Sequence, residues 1–382
     1  MLILFVSVGL FLAINALSLV IAGCRIRPRI GPQPQTLQRP PVSVVVPLCG
    51  IEEFSQETLD SAFRLDWPDY EIIFCVADAK DPVIPLIGEV RQRHPAIPAT
   101  ILVGDDLISA NPKLNNCVKG WNAASHGWVV LADSNVLMPT DYLVRLMAAW
   151  QPSTGLVCST PLGSRPSGFW AEVECAFLNA HQARWQYAVE ALGFGFAQGK
   201  SMLWRKSMLD AHGGIQALAS EIAEDAAATK LVRSLGLKVH LVASPFEQPL
   251  GTRSFREIWA RQCRWARLRR VTFPHFFFPE ILAGLMPPLL LSVIAAVVAG
   301  HSVLAMSGFV ASAAYLPELA LVYRKNWYVS RWSLLAMVTR DTLLPIIWVR
   351  SWLAGSTHWR GNRMLIGSHE SRLETSALAS TP

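Results

Sequence analysis

The chain has 382 residues, a formal net charge of +6 and a mean hydropathy of +0.31, with 52% hydrophobic and only 16% charged residues. Soluble domains carry about 25% charged residues, so an ordinary soluble enzyme is excluded, and the length leaves room for one catalytic domain plus membrane segments. The basic excess collects beside apolar segments, pointing to anionic lipid or phosphate; signatures of RNA- and DNA-binding modules are absent, so no nucleic-acid partner is expected.

Residues 1–23 form an apolar run long enough to cross a bilayer. Arg25, Arg27 and Arg29 follow at once, which places the carboxyl side of this segment in the cytoplasm. Ile21-Ala22-Gly23-Cys24 resembles a bacterial lipoprotein cleavage site, but no basic residue precedes the apolar run and the arginines lie on the wrong side of it. Residues 24–40 end in a Pro- and Gln-rich stretch and read as a linker. The seven cysteines are odd in number and form no CxxC pair, so neither a disulfide framework nor structural zinc is expected.

Across 41–252 the pattern changes to short β-branched runs alternating with helical stretches. Strands are predicted at 42–46, 71–76, 100–103, 129–132 and 156–159, and helices at 85–93, 115–124 and 142–150. This alternation predicts an α/β layer fold with a mostly parallel sheet. Ligands of such folds sit beyond the carboxyl ends of the strands, which singles out Asp78 and Asp133.

Asp133, in Asp133-Ser134-Asn135 at the end of a strand, can hold a divalent cation, magnesium or manganese, shared with a diphosphate, or else the three residues form a plain turn, which all three types favour. Asp78 is suited to accept hydrogen bonds from a nucleobase or ribose, or to close a turn after its strand. Asn111-Pro112-Lys113-Leu114-Asn115-Asn116 opens a helix, where Lys113 can reach a phosphate or Asn111 can simply cap. Glu224 and Asp225 sit at the start of a helix running to about residue 235 and point to different faces. One of them can act on an alcohol as a general base while the other supports it, or both can favour the helix dipole. His181, in His181-Gln182-Ala183-Arg184-Trp185, is either a structural histidine or a pocket residue.

Residues 253–280 hold seven arginines (253, 256, 261, 264, 267, 269 and 270) and then an aromatic run, Phe273-Pro274-His275-Phe276-Phe277-Phe278. Guanidinium groups grip phosphate in a planar fork, and aromatics beside an apolar span mark a membrane interface, so a basic interfacial helix is predicted. Residues 281–323 supply two more spans, with His301 between them and Arg324-Lys325 after them. Residues 324–382 read as a re-entrant or interfacial segment carrying Arg340-Asp341, followed by a polar cytoplasmic tail.

Taken in this order, the three aspartates Asp78, Asp133 and Asp225 followed by Arg261-Gln262-Cys263-Arg264-Trp265, a (Q/R)xxRW motif, resemble membrane-bound glycosyltransferases of the GT-A superfamily. The likeness is closer to ceramide glucosyltransferases, supported by Phe74-Cys75-Val76-Ala77-Asp78, Asn111 to Asn116 and Ile222-Ala223-Glu224-Asp225. It implies a GT-A, Rossmann-like catalytic domain between N- and C-terminal transmembrane helices, facing the cytoplasm of a bacterial-type inner membrane. It further implies inverting transfer of a hexose, glucose in that family, from a UDP-sugar donor to a membrane lipid acceptor such as ceramide, drawn from the lipid bilayer.

By the same resemblance Asp78 contacts the uridine, Asp133 holds the divalent cation, and Asp225 is the base. Arg264 and Trp265 then serve the diphosphate and sugar, with Lys113, Arg261, Glu224 and His181 as further substrate-binding candidates. Asn135 departs from the superfamily, which has a second carboxylate there, and agrees with the lipid branch. The same branch contains enzymes that add an N-acetylhexosamine to hopanoid lipids. A non-catalytic membrane scaffold is opposed by the intact Asp78, Asp133, Asp225 and Arg264, and a polysaccharide synthase would need more spans.

Overall fold

The structure is a computed structural model that describes residues 1–27 and 37–353, together with the backbone of 356–359 and 362–365. Positions 28–36 of the expected linker, and the expected tail from 366 onward, lie outside the described residues. The chain divides into two compact units, one built from residues 37–160 and 195–248 and the other from 1–27, 161–194 and 249–352.

Strands in chain order are β1 (Val42–Leu48), β2 (Tyr70–Val76), β3 (Ala99–Val103), β4 (Trp128–Ala132), β5 (Thr154–Cys158), β6 (Pro161–Ser167), β7 (Ser201–Arg205), β8 (Lys238–Leu241) and β9 (Phe246–Thr252). The first unit is an α/β domain around a seven-stranded sheet of order β3-β2-β1-β4-β7-β5-β8. Pairing is parallel among β3, β2, β1 and β4 and between β5 and β8, while β7 runs antiparallel to both its neighbours. The mostly parallel sheet agrees with the expectation from the alternating pattern. All seven residues of β1 are buried, as a central strand covered on both faces requires.

The core gathers Val44, Val46, Ile72, Phe74, Val130, Leu143 and Leu203 with the large rings of Tyr142 and Phe246. Two glycines set how closely helices approach the sheet. A Cβ at Gly120 would lie 2.5 Å from both Cys75 Sγ and Val45 Cγ1, so only glycine lets the helix Pro112–Ala123 lie against β1 and β2. Gly155 does the same for the helix Glu224–Ser234, where a Cβ would meet Val232 Cγ1 at 2.8 Å. These helices carry the candidate lysine and carboxylates, so close packing on the sheet sets their depth.

The second unit is mainly helical, with β6 and β9 paired as a small sheet. Three segments are long and apolar enough to cross a membrane: Leu2–Arg25, Pro274–Ala299 and Val303–Arg324. They overlap the three spans expected from hydropathy, the second beginning at Pro274 instead of residue 281. Residues 333–352 form one continuous helix, Ser333–Trp352, with no reversal along its length. Its Arg340 and Asp341 are buried and ion-paired at 2.9 Å. Glu318 joins them, with Oε2 3.0 Å from Arg340 Nη1 and Oε1 2.8 Å from Arg184 Nη1. The Arg184 Nη1 also donates to Asn15 Oδ1 at 2.7 Å. A charge pair in an apolar helix is therefore accommodated inside a four-charge network whose signs cancel.

Candidate active site

The carboxyl ends of β1, β2, β3 and β4 lie along one edge of the sheet, because these strands are parallel and in register, with Leu48 beside Val76 and Val76 beside Val103. The loop before β7 returns to the same edge, where Asp133 N–H donates to the Lys200 carbonyl at 2.9 Å. The helix Pro112–Ala123 starts above this edge. Asn111 caps it by accepting from Lys113 and Leu114 N–H, with Pro112 in the first turn. Asn116 Nδ2 donates to the carbonyls of Leu48 at 3.2 Å and Cys75 at 2.7 Å, pinning the helix to β1 and β2.

Lys113 is carried on the first turn of that helix, and its ammonium group is the centre of the cluster. It lies 2.6 Å from Asp133 Oδ1 and 2.7 Å from Glu224 Oε1, and it also donates to the Gly199 carbonyl. The other Asp133 oxygen is 2.8 Å from Lys200 Nζ, which also donates to Asn135 Oδ1 at 3.0 Å. Glu224 Oε2 accepts from Asn111 Nδ2 at 2.6 Å, so Asn111 both caps its helix and holds the acid. Asp225, on the adjoining face, accepts from Gly199 N–H at 3.3 Å. A Cβ at Gly199 would lie 2.7 Å from Glu224 Oε1 and 2.9 Å from Lys113 Nζ, so a side chain there would displace the ends of both.

The electrostatics of these groups diverge. Burial raises the Asp133 carboxyl, but Lys113 and then Lys200 outweigh it and bring it down to about 2. Burial opposes the Lys113 charge, yet Asp133 and Glu224 hold its ammonium well above the usual lysine range. Asp225 goes the other way: burial, and after it the negative charge of Glu224, push it up to about 7, with Lys113 only partly offsetting them. Asp133 and Asp225, two acids of one cluster with opposite shifts, mark a division of labour, one ionised and one able to exchange a proton near neutrality.

Asp78 lies at the same sheet edge, exposed, and accepts from Lys80 N–H at 2.9 Å in a turn. The structure thus brings Lys113, Asp133, Glu224 and Asp225 into one connected cluster and places Asp78 outside that bonded network.

The remaining candidates belong to the helical unit. Arg261, Arg264 and Trp265 lie on the helix Phe255–Thr272, which starts with a capping box between Ser254 and Glu257. The Arg261 guanidinium pairs with Glu174, whose other oxygen is 3.5 Å from Arg253 Nε, and Glu174 is fully buried. Trp265 packs on Cys175, Leu178 and Leu250, and Arg264 is half-buried. His181 lies in a π-helical segment, Ala176–Ala183, a local geometry found often at functional sites. Burial, followed by the charges of Arg340 and Arg184, keeps its imidazole well below its ordinary range and therefore neutral.

Among the described residues no group of three or more His, Cys, Asp or Glu side chains is placed to enclose a metal ion. The oxygen atoms of Asp133 and Asn135 are of the hard kind such a cation takes; in this structure they face the ammonium groups of Lys113 and Lys200, which a cation sharing them with phosphate oxygens and water would displace. Lys200 was not among the residues expected from sequence. It sits in Gln198-Gly199-Lys200, and only the return of the chain before β7 sets it beside Asp133.

The sequence profile of glycosyl transferase family 21 matches residues 5–372. Ceramide glucosyltransferase 1 of Caenorhabditis elegans is 26% identical over 376 residues, covering 92% of this chain and 76% of that protein. Ceramide glucosyltransferase 3 of the same organism is 23% identical over 342 residues, covering 85% and 72%. Among solved structures, the mannosyltransferase PcManGT from Pyrobaculum calidifontis, in complex with GDP-Man and Mn2+, aligns with a TM-score of 0.50 at 16% identity, over 92% of this chain and 98% of that one. That likeness supports a GT-A-type fold. With the family profile spanning nearly the whole sequence, this chain belongs to glycosyl transferase family 21, as a ceramide glucosyltransferase-like hexosyltransferase.

Proposed function

We propose that the protein transfers a hexose, glucose being the favoured sugar, from a UDP-sugar to the hydroxyl of a membrane lipid, with ceramide the favoured acceptor. The Lys113 bridge between Asp133 and Glu224, with Asp225 tied to the same Gly199, carries this reading. It sets a fixed cationic group and an ionised acid beside a carboxyl that exchanges protons near neutrality. The relatives that align over most of the chain are ceramide glucosyltransferases, and three apolar helices suit a protein that draws its acceptor from a bilayer.

In the reaction, Asp225 takes the proton of the acceptor hydroxyl as its oxygen bonds to the anomeric carbon. The bond from that carbon to the UDP oxygen breaks on the opposite face, so the configuration inverts. A group at about 7 is matched to this task near neutral pH. Lys113 stabilises the negative charge that grows on the departing diphosphate. A divalent cation, magnesium or manganese, held by Asp133 and Asn135 would supply further charge to that diphosphate. Asp78 serves the uridine.

Expression in a host that makes ceramide but no glycolipid tests the proposal. Mass spectrometry of extracted lipids is expected to show a new hexosylceramide that is absent with Asp225→Asn. A different glycosylated lipid would reassign the acceptor, and no new lipid in a host supplied with UDP-glucose and ceramide would overturn the proposal.

A further inference from the structure

Lys200 is the last residue before β7, and the β4–β7 ladder sets it opposite Asp133. Ala132 pairs with Ser201, and Asp133 N–H donates to the Lys200 carbonyl at 2.9 Å. Its side chain turns to the same point from the other direction, with Nζ 2.8 Å from Asp133 Oδ2 and 3.0 Å from Asn135 Oδ1. The two lysines of the cluster are not equivalent. Lys113 is shared between two carboxylates, Asp133 and Glu224. Lys200 meets one carboxylate and one neutral amide, so less of its charge is spent inside the protein. An ammonium group has three N–H donors, and Asp133 and Asn135 account for two of them.

Asn135 fits this arrangement. An acid at that position would take Lys200 into a second ion pair and cancel the charge it can offer to an anion. The amide oxygen orients the ammonium group without neutralising it. The outcome is a cation built into the sheet edge next to the residue suited to hold a diphosphate-bridging metal.

We propose that Lys200 is a diphosphate-binding residue, whose ammonium group contacts the nucleoside diphosphate directly and gives the site a hold on it that needs no divalent cation. This rests on the nucleotide-sugar reading of the site. Binding of UDP, with no acceptor and no turnover, separates the two.

The test is equilibrium dialysis of radiolabelled UDP against the full-length protein in lipid nanodiscs, once with Mn2+ and once with EDTA. The unaltered protein binds UDP in both media. Lys200→Gln binds about ten-fold or more weakly in EDTA, the loss of one charge-assisted contact, with a smaller loss in Mn2+. Lys200→Arg keeps most of the EDTA affinity.

Equal binding by Lys200→Gln and the unaltered protein in EDTA overturns the proposal. So does the same loss in both media without rescue by Arg, which is what a local distortion would give. Binding by the unaltered protein in Mn2+ but not in EDTA also overturns it while leaving the nucleotide-sugar reading intact; binding in neither medium removes both. Should Lys200→Gln not fold, Asn135→Asp examines the same point. It is expected to weaken UDP binding in EDTA and strengthen it in Mn2+, and an unchanged EDTA affinity counts against the role of Lys200.

Discussion

Lys113 Nζ lies 2.7 Å from Glu224 Oε1, and the same nitrogen is 2.6 Å from Asp133 Oδ1. One ammonium group thus joins the start of the helix Glu224–Ser234 to the end of β4, two segments far apart in sequence. Glu224 is thereby committed to Lys113 and Asn111, which leaves Asp225 as the carboxyl free of any lysine pair within the cluster. Adjacent acids on one helix turn have become a supporting residue and a candidate base.

Asp225→Asn keeps the shape and the acceptor oxygen for Gly199 N–H while removing the proton acceptor. Turnover is expected to fall by at least about 10²-fold, the usual worth of a positioned base, with UDP affinity changed little. Steady-state transfer to lipid and UDP dialysis measure the two quantities, and near-normal turnover would remove Asp225 from the role of base.

The pH dependence follows from the same residue. With its carboxyl at about 7, the proton-accepting form grows as pH rises, so kcat should climb through pH 6–8 and fall off on the acid side. In Glu224→Gln the neighbouring negative charge is gone, and the acid limb should move to lower pH. The stability sign is opposite. The folded state holds the Asp225 proton up to about 7 whereas the unfolded chain releases it near 3.8, so this group's stabilisation is complete below 3.8 and is lost as pH rises towards 7. Asp225→Asn should therefore raise the Tm at pH 8 and leave it unchanged at pH 3.5. An identical Tm difference at both values would show that the carboxyl is not raised.

Gly199→Ala puts a methyl group against Glu224 Oε1 and Lys113 Nζ. Both contacts are with the ends of flexible side chains, so the fold should survive with a loss of about 1 kcal/mol, at the low end for overpacking. The cluster has to shift, and activity should drop by about ten-fold or more, as displacements of this kind do. Full activity at an unchanged Tm would show that the Lys113–Glu224 geometry is not needed.

Glu318→Ala leaves two buried guanidinium groups, Arg184 and Arg340, without their shared carboxylate. Removing one partner from a buried ionic network costs about 3–5 kcal/mol. The variant should yield little monodisperse protein in detergent, and size-exclusion chromatography reads this directly. A variant that is monodisperse and melts like the unaltered chain would mean that the network is dispensable.

Composition and periodicity by themselves were enough for the mostly parallel α/β sheet, the three apolar segments and the aspartates at strand ends, because those signals are local: runs of β-branched residues, apolar length, a polar residue closing a strand. The ion pairs came only from tertiary structure. No spacing in the chain tells that Lys113 divides itself between Asp133 and Glu224, that Glu174 claims Arg261, or that Lys200 lies beside Asn135. Each depends on distant segments meeting at one sheet edge or helix face, and around Lys113 and Glu224 on glycines 120, 155 and 199 leaving room for neighbouring side chains. The same reason separates Glu224 from Asp225. In sequence they are neighbouring acids of equal standing, and the folded surroundings alone give one a lysine and the other a carboxyl that exchanges its proton near pH 7.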